Sequence, residues 1–332
     1  MPRHLLFTHD MNGQAAVCID SPEVKKLNRK PRFLWLFFAG GMLILILDSK
    51  TALRGAAEGI ELCLKTVVPS LFPFFVLSAA LMQSSQGSAL GILIPAFLGG
   101  YPVGAQTVYQ AYRSGAVSKR DAEKLLAFCN NAGPAFLFGM VGQLFPGQSW
   151  VWLLWGTHIL GAVIAAGFVV GYPLSLPVSG KTTQQNPAKI MKNSVGIMGV
   201  VCGWIVLFRV VIAFLDRWIL WLFPAEARVA LIGLLELSNG CWELRTIASA
   251  PVRFLLCGGM IGLGGLCVSM QTASVTPGLS LRYYAMGKLV QLGTSLIVGS
   301  SILLRSALPL LLILPYFRVF KKRGGNWSLS GI

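Results

Sequence analysis

Long apolar runs parted by short polar or glycine- and proline-rich breaks organise the chain, and a bilayer span needs about 20 apolar residues. Residues 33–47 are a short first candidate. Residues 62–82 carry Lys65 near their start and are broken by Pro69 and Pro73. Residues 89–109 begin apolar and become Leu98-Gly-Gly-Tyr-Pro-Val-Gly-Ala-Gln-Thr107. Residues 118–129 are amphipathic, with Ser118 and Asp121 at capping-box spacing. Asn130-Asn131-Ala-Gly-Pro134 then breaks into another apolar run ending near Phe145. Residues 150–172 read as an uninterrupted span.

The second half restarts at Ser194. Residues 195–223 predict a span plus an interfacial turn near Asp216 and Arg217, and residues 229–247 a span containing Glu236. Residues 254–271 are glycine-rich, 289–304 are apolar, and 308–320 lead to Lys321-Lys322-Arg323. If every interrupted run crossed, the turn holding Arg113, Lys119, Arg120 and Lys124 would fall outside, against the preference of basic loops for the cytoplasm. At least one broken segment is therefore expected to be a re-entrant hairpin, which at membrane depth needs surrounding protein or a water-filled cavity. The expected fold class is all-α, a polytopic membrane helix bundle built from two repeats with discontinuous or re-entrant helices.

Composition agrees. Of 332 residues 55% are hydrophobic and 12% charged, about half the charged share of a soluble domain, and mean hydropathy is +0.67. The net charge of +16 would suggest nucleic acid in a soluble chain. Here the basic residues flank apolar runs, so the charge reads as loop orientation in a lipid bilayer, with no nucleic-acid partner. The expected domains are a basic cytoplasmic tail over 1–32, without a signal-peptide core, and one membrane domain over 33–320. Within that domain lie a first repeat at about 55–150, a linker at 174–193 and a second repeat at about 194–305. A basic tail at 321–332 closes the chain. Met11 is an alternative start. The seven cysteines are scattered and form no CxxC, so no metal site or disulfide framework is expected.

The chain also matches itself. Leu98-Gly-Gly-Tyr-Pro-Val-Gly-Ala-Gln-Thr107 aligns with Leu263-Gly-Gly-Leu-Cys-Val-Ser-Met-Gln-Thr272, six of ten positions being identical. Lys124-Leu125 pairs with Lys288-Leu289, and Cys129-Asn130-Asn131 then faces Gly293-Thr294-Ser295. Glycine-interrupted segments at corresponding places in two halves are the pattern of a repeat-built secondary transporter. Glycine pairs let a helix unwind, freeing backbone groups and half-helix dipole ends near the midplane. Gly99, Gly100, Gln106 and Thr107 in one half and Gly264, Gly265 and Gln271 in the other are thus substrate-binding candidates. Close helix packing at small residues is the structural alternative.

Polar residues within apolar runs extend the set. A carboxylate at mid-span costs roughly 2.5–3.5 kcal/mol on insertion scales, so Glu236 needs a partner or cavity. Arg209 bears a similar cost. An ion pair between the two is one reading; the other has Arg209 binding an anion and Glu236 holding a proton or cation. Asn130, Asn131, Ser238 and Asn239 lie beside glycine or proline breaks, where they bind substrate or cap helices. His158 reads as an interhelical hydrogen-bonding group. Ser179-Gly-Lys-Thr-Thr183 mimics the end of a phosphate-binding loop, but lacks its first glycine and follows a span. No catalytic constellation or cofactor motif stands in any apolar run, so an enzyme is not expected; the coupling ion stays open.

These segments together resemble the sporulation integral membrane proteins. The likeness is carried by Val68-Pro-Ser-Leu-Phe-Pro-Phe-Phe75, Gly99-Gly-Tyr-Pro-Val-Gly104 and Phe128-Cys-Asn-Asn-Ala-Gly-Pro134. Glu236-Leu-Ser-Asn-Gly240 and Gly264-Gly-Leu266 with Gln271 complete it, and it covers most of residues 55–305. The resemblance implies a nucleoside-recognition, or Gate, domain related to concentrative nucleoside transporters. It also implies passage of dipicolinic acid across the outer forespore membrane of the mother cell, supporting spore maturation. A nucleoside-type solute and a non-transporting scaffold for the spore envelope are the alternatives. The partners expected are a small-molecule substrate and the lipid bilayer, with a homo-oligomer compatible with both.

Overall fold

A computed structural model describes residues 7–9, 15–17, 32–84, 88–169 and 186–313. It divides into two units, residues 1–50 and 51–332. In the first, β1 (Phe7–His9) and β2 (Ala15–Val17) pair antiparallel, with Phe7 opposite Val17. This hairpin lies in the segment read as a basic tail. The helix α1 (Arg32–Leu47) follows. Its side chains at Trp35, Leu36, Phe37 and Phe38 are exposed, as suits a lipid-facing helix.

The described residues of the second unit are helical or in turns. The helix α2 (Ser49–Leu62) runs through a π-helical turn (Cys63–Val67) into α3 (Val68–Ser84). The wide turn has a local cause. Pro69 has no N–H for the Lys65 carbonyl and its ring crowds that oxygen, so the helix expands by one residue. The Val68 N–H accordingly bonds back to Cys63 O.

Next come α4 (Ala89–Leu98) and α5 (Val103–Arg113), joined by a tight turn with a cis Tyr101–Pro102 bond. The helix α6 (Lys119–Cys129) opens as the Ser118/Asp121 spacing predicts, with Ser118 Oγ accepting from Asp121 N at 3.1 Å. It stops at extended Asn130, and the short α7 (Pro134–Gly139) resumes with proline at its first position. The helix α8 (Gln148–Val169) is long and continuous. Beyond it, α9 (Pro187–Trp218) is capped by Asn186, whose side chain accepts from Ala188 N at 3.0 Å. The expected linker at 174–193 therefore already contains helix from Pro187, and its 174–185 part lies outside the described residues.

The run at 229–247 is not one span. It forms α10 (Ala225–Leu235) and α11 (Leu237–Glu243), two short helices meeting at an extended Glu236. They fold against each other with Gly233 touching Gly240. The helix α12 (Ala250–Leu263) ends at left-handed Gly264, and α13 (Gly265–Val275) continues. The last long helix, α14 (Arg282–Leu303), begins seven residues before the expected 289 and takes Lys288 inside. It is unbroken through Gly293-Thr294-Ser295, so the alignment of that triplet with the Cys129-Asn130-Asn131 break does not hold. A 3₁₀ segment (Leu308–Ile313) follows; residues 314–332, with the basic C-terminal tail, lie outside the described residues.

Among the described residues five helical stretches are long and apolar enough to cross a membrane: Ser49–Leu81, Gln148–Phe168, Pro187–Trp218, Ala250–Val275 and Arg282–Leu303. The core gathers around α14, which packs on α6, α8 and α12. Contact is close because small residues meet backbone: Gly287 lies on the Ala127 carbonyl, and a Cβ on Gly262 would stand 2.9 Å from Gln291 O. Such approach is how helices associate where lipid removes the hydrophobic drive between them.

The Gly287→Ala variant should lower the thermal unfolding midpoint in detergent by several degrees, an overpacking cost of about 1–3 kcal/mol. Gly293→Ala lies on the same helix with nothing within 4 Å. It should leave the midpoint unchanged or raise it slightly, helix propensity contributing about 1 kcal/mol at most.

Candidate functional site

The helix interruptions come together. Gly100, in the turn between α4 and α5, packs on Gly133, in the break between α6 and α7; a Cβ on Gly133 would lie 2.8 Å from Gly100 N. Gly100 holds φ +81°, which an L side chain rarely adopts. On the other side, Gly265 at the head of α13 abuts the end of α10. A Cβ there would meet Gly233 O at 2.8 Å and Leu234 O at 3.1 Å.

Beside the first of these pairs lies a cavity of about 40 Å³. That is room for water or an ion in this conformation, since a water needs roughly 10–15 Å³ by this measure. Gly100, Tyr101, Ala132 and Gly133 supply one wall and Glu236, Leu237, Ser238 and Gln271 another. Thr66 and Ser70 reach it from the π-helical turn and the start of α3, and Val201 and Ile205 from α9. Most of the lining is apolar. Among the described residues that line it, Glu236 alone bears a formal charge.

Glu236 is 1% exposed. Its carboxylate caps α11, accepting from Ser238 N at 3.0 Å and from Asn239 N and Nδ2 at 2.6 Å each. A carboxylate accepting backbone N–H groups at a helix start is favourably placed. This explains why the run breaks at Glu236: the acid is solvated by the backbone its own kink frees.

Behind the first wall is a buried polar network that ties the two halves of the chain. Tyr101 Oη donates to Ile261 O in α12 at 2.8 Å. Lys288 Nζ donates to Tyr101 Oη at 2.9 Å, Asn130 O at 2.6 Å and Gln291 Oε1 at 2.8 Å. Gln291 Nε2 donates to Asn131 Oδ1 at 3.2 Å, and Asn130 Nδ2 to Thr272 Oγ1 at 2.8 Å. His158, on α8, accepts from the Ala132 N–H at 3.0 Å through Nε2.

The sequence-derived candidates thus fall into three places. Gly100, Glu236, Ser238 and Gln271 line the cavity. Asn130, Asn131, Asn239, Gly264 and Gly265 support it from behind, by the bonds above and by the left-handed break at Gly264 and Gly265. Gly99, Gln106, Thr107 and Arg209 stand outside its lining. Gly99 packs on Val103, and Thr107 Oγ1 donates to Val103 O at 3.0 Å. Arg209 does not meet Glu236. It pairs with Glu58 and lies 3.8 Å from Asp216, which Arg228 holds at 3.1 Å while reaching Glu243 at 3.8 Å.

Sequence reasoning missed Lys288 and Gln291 as members of this region. The signal was present: a lysine and a glutamine three apart, one helical face, inside a stretch otherwise fit to cross a membrane. Starting that span at Leu289 placed Lys288 in a loop. The Thr66 and Ser70 hydroxyls carried no signal beyond the nearby prolines.

Over 145 aligned positions the chain is 28% identical to the Sporulation integral membrane protein YlbJ of Bacillus subtilis (strain 168). The match covers 38% of this chain and 36% of that protein, so it spans about a third of the relative's length. No family model matches the chain, and no solved structure does. An integral membrane relative and five apolar helices of spanning length make this a membrane protein.

Replacing Arg209 by Gln should reduce thermal stability by roughly 1–2 kcal/mol, between an exposed and a fully buried ion pair. An unchanged unfolding midpoint would show that the pairs with Glu58 and Asp216 contribute nothing to the folded chain.

Proposed function

We propose that this chain is a secondary transporter or facilitator of a small solute acting in spore formation. The observation that carries the reading is the convergence of helix interruptions on one cavity that holds a buried carboxylate. Irregular backbone at membrane depth is tolerated where it lines a cavity, and binding sites at the midplane of transporters are built from discontinuous helices.

Element order supports two repeats. A pair of short helices, an interrupted helix and a long helix occur as α4/α5, α6/α7 and α8, and again as α10/α11, α12/α13 and α14. In this reading the pair α4/α5 corresponds to α10/α11, and the Asn130–Gly133 break to the Gly264 break. The Leu-Gly-Gly match then joins a hairpin turn to a helix break, two places that need glycine for different reasons. By resemblance the arrangement is that of the Gate domain of concentrative nucleoside transporters. The relative's sporulation name is what brings spore formation into the reading.

Dipicolinic acid, in passage across the outer forespore membrane, is the first cargo to test. The cavity sets a condition on it. Glu236 repels an anion, and the N–H groups opening α11 already bond its carboxylate. A dianion therefore requires a proton or cation at Glu236, whereas a neutral nucleoside does not. That carboxylate is the specific observation favouring the nucleoside-type alternative. No catalytic step and no cofactor belong to either reading.

Uptake of dipicolinate and of uridine into proteoliposomes, measured in parallel, tests the proposal. Wild type should show saturable uptake of one of them above protein-free vesicles. Gln271→Ala should reduce it at least about tenfold, equivalent to 1.4 kcal/mol of lost interaction. Glu236→Gln should do the same to uridine uptake, and should make dipicolinate uptake independent of the proton or cation otherwise needed at that carboxylate. Flux undiminished in both variants removes the assigned site. Absence of uptake for either solute favours a scaffold for spore-envelope assembly.

A further inference from the structure

Lys288 is not in the cavity's lining, although Tyr101, which it bonds, is. The lysine is 2% exposed, and among the described residues no acid lies within ion-pair distance of it. Three oxygens surround its ammonium at 2.6–2.9 Å: the Asn130 carbonyl, the Gln291 amide and the Tyr101 hydroxyl. The Tyr101 ring adds its face, 4.6 Å from Nζ.

This ligand set is uncharged, drawn from three segments, and includes a carbonyl freed by a helix break. Neutral oxygens of this kind, with unwound backbone and half-helix ends among them, are how membrane transporters hold a sodium ion. A lysine placed merely for packing would instead send its amine along the helix toward water. Its three N–H donors are all used on these oxygens, so it has none left for an anionic solute. The elements packed on α14 bring few other titratable groups. Asp121 and Lys124 of α6 face each other at 4.0 Å, and Glu123 accepts from Ser280 N at 2.9 Å. His158 of α8 is held by Ala132 N, and Arg253 of α12 donates to Leu144 O.

We infer that Lys288 is a tethered cation occupying a monovalent-cation site formed by Tyr101 Oη, Asn130 O and Gln291 Oε1. The chain carries its own positive charge where a sodium-dependent protein would take one from solution. The inference rests on the transporter reading only for what such an ion would accomplish; occupancy of the site does not depend on it. Shortening the side chain should turn the site into one that takes an alkali ion.

The test is thermal unfolding of the purified full chain in NaCl, KCl and choline chloride at equal ionic strength. Lys288→Ala should unfold about 3 °C or more higher in NaCl than in choline chloride, the shift rising with sodium and saturating. Wild type and Lys288→Met, whose side chain fills the space without charge, should lack that sodium-specific gain. Equal midpoints for Lys288→Ala in all three salts overturn the inference. So does a variant that cannot be recovered folded in sodium any better than in choline, because a cation from solution then fails to replace the ammonium. Because no solute is added, a negative result leaves the transport reading standing, and failed uptake leaves the cation site standing.

Discussion

Inside a bilayer no solvent is at hand for a backbone N–H or C=O, so each group released by a broken helix must find a partner within the chain. The arrangement of this protein follows from that demand. At the first break the Ala132 N–H goes to His158 and the Asn130 carbonyl to Lys288. At Glu236 the N–H groups of Ser238 and Asn239 go to the carboxylate of the kinked residue itself. Toward the end of α12 the Ile261 carbonyl is bonded by Tyr101 from the other half of the chain. The buried polar residues are where they are because the backbone is irregular where it is.

The same demand decides which surfaces are close. Interrupted helices can converge only if their turns approach without side chains, and Gly100, Gly133, Gly233, Gly240 and Gly265 meet at such places. Around them the long helices α8, α12 and α14 form the rigid part of the fold, packed through small residues, while their outer faces remain apolar. Precision at the centre thus coexists with a periphery of nonspecific hydrophobic side chains that lipid solvates.

Much of this was legible from residue pattern. The membrane class, the breaks at Gly99–Gly100, Asn130–Pro134 and Gly264–Gly265, the cap at Ser118 and the need of Glu236 for partners or a cavity all follow from local chemistry. What was not legible depended on contacts between distant segments. Hydropathy alone read 229–247 as one crossing because nothing in it shows that a carboxylate can solvate itself with its own backbone. It likewise excluded Lys288 from a span, since the three oxygens that hold it come from residues 101, 130 and 291. Arg209 was weighed against Glu236 because both are charges in apolar runs, yet its acids are Asp216, read as near a span end, and Glu58, which lies outside every predicted run. The self-match located both glycine interruptions while leaving open what each becomes in space.

The alternation Glu58, Arg209, Asp216, Arg228, Glu243 runs from α2 across α9 to the α10/α11 pair that carries Glu236. Unlike the network behind the cavity, its members are part-exposed, and such pairs weaken as electrolyte screens them. The hairpin is therefore fastened at its outer end by an ionic clasp and at its inner end by dry hydrogen bonds and glycine contacts. Salinity loosens the first and leaves the second intact.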